Sequence, residues 1–320
     1  MAKTKRLVKT LFRLVLPVII LIIAAFGGSA VWLVHQISKP VQTNYLVTPE
    51  KYGQLSTRGA RITDESWTNK DGTSARGWLL RGAEGMPAVI LLHRYGANRS
   101  HVLDLGVKIN ESTNFTILMP DLRAHGIEPP VANSSLGGCE IEDAAAAIGY
   151  LRSLKTEKQA DLVGANIGFY GGELGSLVAL GAAAGDKSVK ALVLDSVPSS
   201  SDQVLGSAIS KRFPFASSVT SKIATYGTYL YFYNNCYDHE LSCNIAKSLE
   251  DRQVLLLAGS DAPLFQEATE KLSRCFPGGS VVESKLDFNP SGYNLTNASV
   301  EQLNIYDQRV IEFFSKALRQ

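Results

Sequence analysis

The chain has 320 residues, 45% apolar and 19% charged, with a formal net charge of +2. That length holds one large core or two small ones. Five of the cations (Lys3, Lys5, Arg6, Lys9, Arg13) fall in the first thirteen residues, and the rest of the chain carries 27 basic against 30 acidic side chains, which excludes a nucleic-acid-binding surface.

Behind that basic tail (1–13) runs Leu14–Val34, 21 residues with a single polar side chain, Ser29. This is enough to span a bilayer, and Pro17 and Gly27-Gly28 are tolerable inside a membrane helix. Basic residues precede the span and none follows until Lys39, so the positive-inside rule places the N-terminus in the cytoplasm. The expected localisation is a cell membrane, single-pass, with the main domain extracytoplasmic (periplasmic or extracellular). A cleavable signal peptide is the alternative, with Gly28-Ser29-Ala30 as the cleavage site. The apolar run continues through Val31–Val34, and Trp32 suits a membrane interface, which favours an uncleaved anchor.

A polar linker (35–59) leads into a domain expected over 60–320. Ala60–Leu80 reads as two antiparallel strands around the turn signal Asp71-Gly72. Short apolar runs then alternate with helical patterns. The strands are Ala88–Leu92, Thr116–Pro120, Ile167–Tyr170, Ala191–Asp195, Gln253–Ala258 and Ser280–Lys285. The helices are Glu140–Leu154, Glu173–Ala184, Ala262–Cys275 and Val300–Leu318. Runs apolar on both faces and separated by helices predict a mostly parallel sheet covered on both sides. A Ser-rich, then aromatic stretch at about 198–250 interrupts the pattern and reads as a cap inserted after the sixth strand. Its aromatic run (Tyr226, Tyr229, Tyr231, Phe232, Tyr233) is expected to pack the cap onto the body, with the lining of an apolar pocket as the alternative.

Four cysteines (Cys139, Cys236, Cys243, Cys275) fit an oxidising compartment and allow three pairings. Cys236 with Cys243, close together in a loop-like stretch, is the expected bridge. Four free thiols are the alternative.

Ile167–Leu180 reads IGFYGGELGSLVAL, a strand that runs through a glycine pair straight into a helix. The spacing Gly171-x-Glu173-x-Gly175 matches the G-x-S-x-G nucleophile elbow, with glutamate in place of serine. Further landmarks are LLHRYGANR, PDLRAHG, the LDS ending at Ser196, LLLAGSDAP and the closing YDQRVIEFFSKAL. Five such landmarks in order resemble the α/β-hydrolase family over most of 60–318. The resemblance implies an eight-stranded, mostly parallel sheet with helices on both faces, a cap, and one transmembrane helix in front.

It also implies roles for particular residues. Glu173 stands at the nucleophile position, and Asp261 at the acid position, with Asp195 as an alternative acid. Leu174 and the Arg94-Tyr95 turn supply the oxyanion hole. Asp121, Arg123 and His125 shape a neighbouring loop. The catalytic histidine belongs in 286–299, and that segment contains none; His93 is the one histidine close enough to serve as a helper. Glu173 is expected to occupy the oxyanion hole, since backbone N–H groups at a helix N-terminus attract a fixed anion. Arg94 is expected to form an ion pair with it; the alternative is that Arg94 points to solvent and Glu173 only caps its helix.

Three functions follow. The first is a membrane-anchored hydrolase-fold protein, catalytically degenerate, that binds or scaffolds an unspecified small molecule or protein. The second is an ester or peptide hydrolase using Glu173 as a base. The third is a carboxylate-nucleophile enzyme of the dehalogenase or epoxide-hydrolase kind. No cofactor, metal or nucleotide motif is visible.

Overall fold

The computed structural model describes residues 2–55, 59–213, 215, 218–233 and 236–319. Ala2–Ser38 is a single helix, α1, and its Phe12–Ser38 portion is long and apolar enough to cross a membrane. The helix runs on past Val34, because Val31–Ile37 is free of glycine and of any proline that would stop it. A second helix, α2 (Pro49–Leu55), stands in what reads as linker.

β1 (Ile62–Thr68) and β2 (Ser74–Leu80) form the expected hairpin, with Thr68 opposite Ser74. There follow β3 (Met86–Leu92), β4 (Thr116–Pro120), β5 (Val163–Gly172), β6 (Val189–Asp195), β7 (Gln253–Leu257) and β8 (Val281–Lys285). They make one eight-stranded sheet in the order β1-β2-β4-β3-β5-β6-β7-β8. β2 is antiparallel to β1 and β4, and every pairing from β4 to β8 is parallel. All five residues of β4 are buried, which is why its sequence shows no polar alternation.

The covering helices are α3 (Leu103–Thr113), α4 (Gly138–Ser153), α5 (Leu174–Gly185), α9 (Pro263–Ser273) and α10 (Val300–Leu318). α4 packs beside α5, and α3 beside α10. The main core lies under α3 and α10, where Leu103, Val107 and Phe115 meet Phe314 and Leu318. Three further helices, α6 (Ser201–Arg212), α7 (Ser218–Tyr231) and α8 (Ser242–Ala246), follow β6.

Two compact units are present. One comprises Met1–Ile37 and Leu205–Asn235; the other, Ser38–Val204 and Cys236–Gln320, holds the sheet. In the first, Gly227 of α7 lies against the Ala30 backbone, and Trp32 packs against Phe213 with the rings tilted and their centroids 5.7 Å apart. The aromatic run does not all turn inward: Phe232 is buried, while Tyr226, Tyr229 and Tyr233 are each at least 60% exposed.

The disulfide pairing differs from the expectation for Cys236 and Cys243. The bridges are Cys139–Cys236 and Cys243–Cys275, with Cα–Cα distances of 5.0 and 5.3 Å. Cys243 sits in the first turns of α8, which packs against α9, and Cys275 follows the end of α9. Cys139 opens α4 at the point where the chain around Cys236 passes Gly138. Closeness in sequence did not decide the partners because helix packing brings distant cysteines together.

Candidate functional site

The C-terminal ends of β3, β5 and β6 converge on Glu173. Its backbone is at φ 45°, ψ −109°, a conformation that L-residues adopt at a cost of about 1–3 kcal/mol. The surroundings hold it there. Glu173 N–H donates to the Asp195 carbonyl at 2.9 Å, and Ser176 donates to the Glu173 carbonyl through N–H (2.9 Å) and Oγ (2.6 Å). A Cβ on Gly171 would collide with the Gly175 backbone, and one on Gly175 with the Leu92 carbonyl. Strand and helix therefore approach too closely at this bend for any other residue.

The Glu173 side chain folds back onto this turn and is 2% exposed. Its Oε2 accepts from Tyr95 N–H at 2.7 Å and from Leu174 N–H at 3.1 Å. One donor begins α5 and the other lies in the loop after β3, so a single oxygen closes both. The helix N-terminus adds a favourable field for the negative charge.

The Tyr95 donor is held by a histidine. Gly96, at φ 72°, donates its N–H to His125 Nε2 at 3.0 Å. His125 Nδ1 lies 2.6 Å from the Arg123 carbonyl, which requires the proton on Nδ1. His93 repeats the arrangement: Nδ1 lies 2.8 Å from the Arg94 carbonyl, and Nε2 accepts from Leu122 N–H at 3.1 Å. Burial pushes the His125 imidazole down to about 4 and the His93 imidazole well below its ordinary value. Both are neutral backbone braces. The helper role for His93 does not fit, because both ring nitrogens are engaged by the backbone.

Arg94 also departs from expectation. Among the described residues it makes no ion pair with Glu173. Its guanidinium donates to the Tyr95 carbonyl at 3.2 Å and sits 5.6 Å from the centre of the Tyr293 ring. The chain direction at the tight Tyr95-Gly96 turn presents the Tyr95 N–H to the carboxylate and carries the Arg94 side chain away.

The two candidate acids hold one loop between them. Asp195, fully buried, accepts from Ser196 Oγ (2.7 Å), Tyr306 Oη (2.8 Å) and Gly292 N–H (2.9 Å). Tyr306 Oη also lies 3.0 Å from Tyr170 Oη. Burial raises the Asp195 carboxyl above its ordinary value, against the pull of these hydrogen bonds. Burial, with Asp195 beside it, likewise raises the Tyr306 phenol. Asp261 takes Ser291 N–H (3.1 Å), Ser291 Oγ (3.1 Å) and Asn294 Nδ2 (2.7 Å). Residues 291–294 thus supply backbone, hydroxyl and amide donors to Asp261 and Asp195. Gly292 is required there: a Cβ would come within 2.7 Å of the Asp195 carboxylate and 2.8 Å of Tyr306 Oη. Sequence reasoning missed the roles of Tyr170 and Tyr306: both fall inside quoted landmarks, but neither landmark brings the two phenols together.

Beside the elbow lies a cavity of about 260 Å³ bordered by Gly172, His93, Arg94, Tyr170, Gly292 and Tyr293. Its place beyond the carboxyl ends of parallel strands is where open α/β sheets bind ligands.

Solved structures share this fold. An esterase of Pyrococcus furiosus superposes with a TM-score of 0.67, covering 88% of this chain and 98% of its own at 20% identity. An esterase of Pyrobaculum calidifontis covers 92% of both chains at 14% identity and TM-score 0.54. A dienelactone hydrolase of Anabaena variabilis covers 81% of this chain and 99% of its own at 14% identity and TM-score 0.54. This chain has the α/β-hydrolase fold. No protein-family model and no curated protein sequence matches it.

The fold gives the Glu173 contacts their meaning. In serine hydrolases of the α/β-hydrolase fold, the oxyanion hole is the N–H after the nucleophile plus one from the loop after β3. In this chain Leu174 N–H, the first after the elbow residue, and Tyr95 N–H, in the loop after β3, both donate to Glu173.

Proposed function

We propose that this chain is a membrane-anchored α/β-hydrolase-fold protein that has lost serine-hydrolase chemistry and works by binding. One observation supports the reading: the Glu173 carboxylate accepts from Tyr95 N–H and Leu174 N–H, the pair that an oxyanion hole on this fold would use for a tetrahedral intermediate. A serine-type reaction needs a nucleophile, a base and that hole to be free. Here the elbow holds an acid, the hole is filled, and 286–299 contains no histidine. The acid-position carboxylates serve instead to fix the loop at 291–294, and the cavity beside Tyr293 is left as the place for a small ligand or a partner's side chain.

Action of Glu173 as a general base is disfavoured by its burial and by its two backbone donors, which would have to be broken to reach a water. A carboxylate-nucleophile mechanism meets the same obstacle and lacks an imidazole to hydrolyse the ester intermediate. His93 and His125 have both ring nitrogens on backbone partners, and His101 has its Nδ1 on the Asn98 backbone.

The anchor belongs to the same proposal. The apolar helix with basic residues ahead of it favours a cytoplasmic N-terminus, and two disulfides suit an oxidising compartment outside. Retention of residues 1–34 in the mature protein, read by intact mass and by resistance to carbonate extraction, tests the anchor. Incubation of the purified full chain with a fluorophosphonate probe and a panel of activated esters tests the chemistry. Robust labelling or turnover would refute the binding role.

A further inference from the structure

Within the unit that contains α1, we infer that α7 is an interfacial membrane element: it lies at the outer lipid surface and turns its aromatic face to the acyl chains and headgroups. The inference rests on α1 being the membrane anchor.

Three observations carry it. The first is depth. At 1.5 Å per residue, Leu14 to Val34 rises about 30 Å, the hydrocarbon thickness of a typical bilayer. Ala30, about 6 Å before that end, is where α7 docks. The docking is close: a Cβ on Gly227 would collide with the Ala30 carbonyl, and Ala224 and Thr228 are buried on the same side of α7. Small residues at a contact let helices approach in this way inside lipid. Two helices in backbone contact share the same layer, so α7 stands at the level of the outer hydrocarbon boundary.

The second is the opposite face of α7. Val219, Tyr226, Tyr229 and Leu230 of α7, and Tyr233 in the turn just after it, are 60% exposed or more. Their spacing of three, four and seven residues puts them on one stripe. A stripe rich in tyrosine, with the exposed Lys222 inside it, matches an interface, where amphipathic rings and snorkelling lysines are favoured.

The third is continuity with the anchor. Trp32 on α1 is 51% exposed and packs against Phe213, and the nearby Phe215 is fully exposed. His35 Nδ1 lies 3.0 Å from Tyr231 Oη. The aromatic surface therefore begins on the spanning helix and continues onto its neighbour. The occupant that fits is lipid.

The test uses the full chain in vesicles of phosphatidylcholine and phosphatidylglycerol. A phosphatidylcholine with a diazirine near the ester end of its acyl chain is included and photolysed, and adducts are mapped by mass spectrometry. Adducts are expected on α1 and on 226–233, with the α7 adducts lost in a Y226E/Y229E variant whose α1 adducts persist. Adducts confined to α1 would overturn the inference and leave the anchor intact. Adducts on neither helix would refute the anchor, and the inference with it. A crosslinked dimer joined through α7 of two copies would overturn the inference by giving that face a protein partner.

Discussion

Tyr95 N–H donates to Glu173 Oε2 at 2.7 Å, and the same oxygen takes the first N–H of α5 from Leu174 at 3.1 Å. The acid is thus part of the wall it leans on. Hydrogen bonds to a charged group contribute about 1.5–3 kcal/mol each. Replacing Glu173 by alanine leaves two buried donors without their acceptor, so chemical denaturation should show a loss of about 2–4 kcal/mol. Glu173→Gln keeps an oxygen in place and should lose clearly less. Equal stability of both variants and wild type would show that these contacts are not made.

Glu173→Ser restores the elbow residue without restoring a base. The expected outcome is no gain in ester hydrolysis, measured against wild type under identical conditions. A second change at 292 cannot supply the imidazole, because Gly292 has no room for a Cβ beside Asp195 and Tyr306.

Asp195 and Tyr306 join β6 to α10 and hold the 291–294 loop. Removing the phenol in Tyr306→Phe strips one donor from a buried carboxylate and one partner from Tyr170. The expected cost is about 1–3 kcal/mol in urea unfolding, with an unchanged m-value. A neutral result would mean that water takes over the role of the phenol.

Acid should destabilise the domain through its buried imidazoles. His125 is held down to about 4 by burial, and His93 lies well below its ordinary value. An unfolded histidine titrates near 6.5. Between pH 6.5 and about 4 the unfolded chain therefore binds protons that the folded one refuses. Stability from this source is full above about 6.5, declines as pH falls through that window, and levels off below it. The contribution of His125 alone is about 3 kcal/mol across the window. The His125 share is read as a difference, because buried carboxyls such as Asp143, raised to about 6, act with the opposite sign: in thermal unfolding from pH 7 to pH 5, wild type should lose stability relative to His125→Gln.

The disulfides give a direct covalent check. A non-reducing digest should link the Cys139 peptide to that of Cys236, and Cys243 to Cys275. Cys243→Ser with Cys275→Ser removes the closure of a 32-residue separation and should cost about 2–4 kcal/mol. A Cys236–Cys243 linkage would contradict this arrangement.

The sheet was legible because its central strands are apolar on both faces, a pattern that parallel strands under helices impose. The elbow was legible because two glycines must flank a bend that close. α3 escaped notice: Leu103–Thr113 mixes Asp104, Lys108 and Glu111 with Gly106, and shows its apolar stripe only once Met119 and Ile117 are placed beneath it. The direction of Arg94 was not legible either, since one residue of chain reversal at Tyr95-Gly96 decides which group faces the acid. The tyrosine–aspartate network joins residues 136 and 111 positions apart, and no local pattern records such a meeting.

The central claim is that this elbow carries no hydrolytic chemistry. The most direct measurement is turnover of activated esters by the purified, membrane-reconstituted full chain, run beside Glu173→Gln and a fluorophosphonate label. The expected result is no turnover above buffer, no label, and no difference between the two proteins. Turnover by wild type that disappears in Glu173→Gln, or a label captured at any residue bordering the elbow, would contradict it.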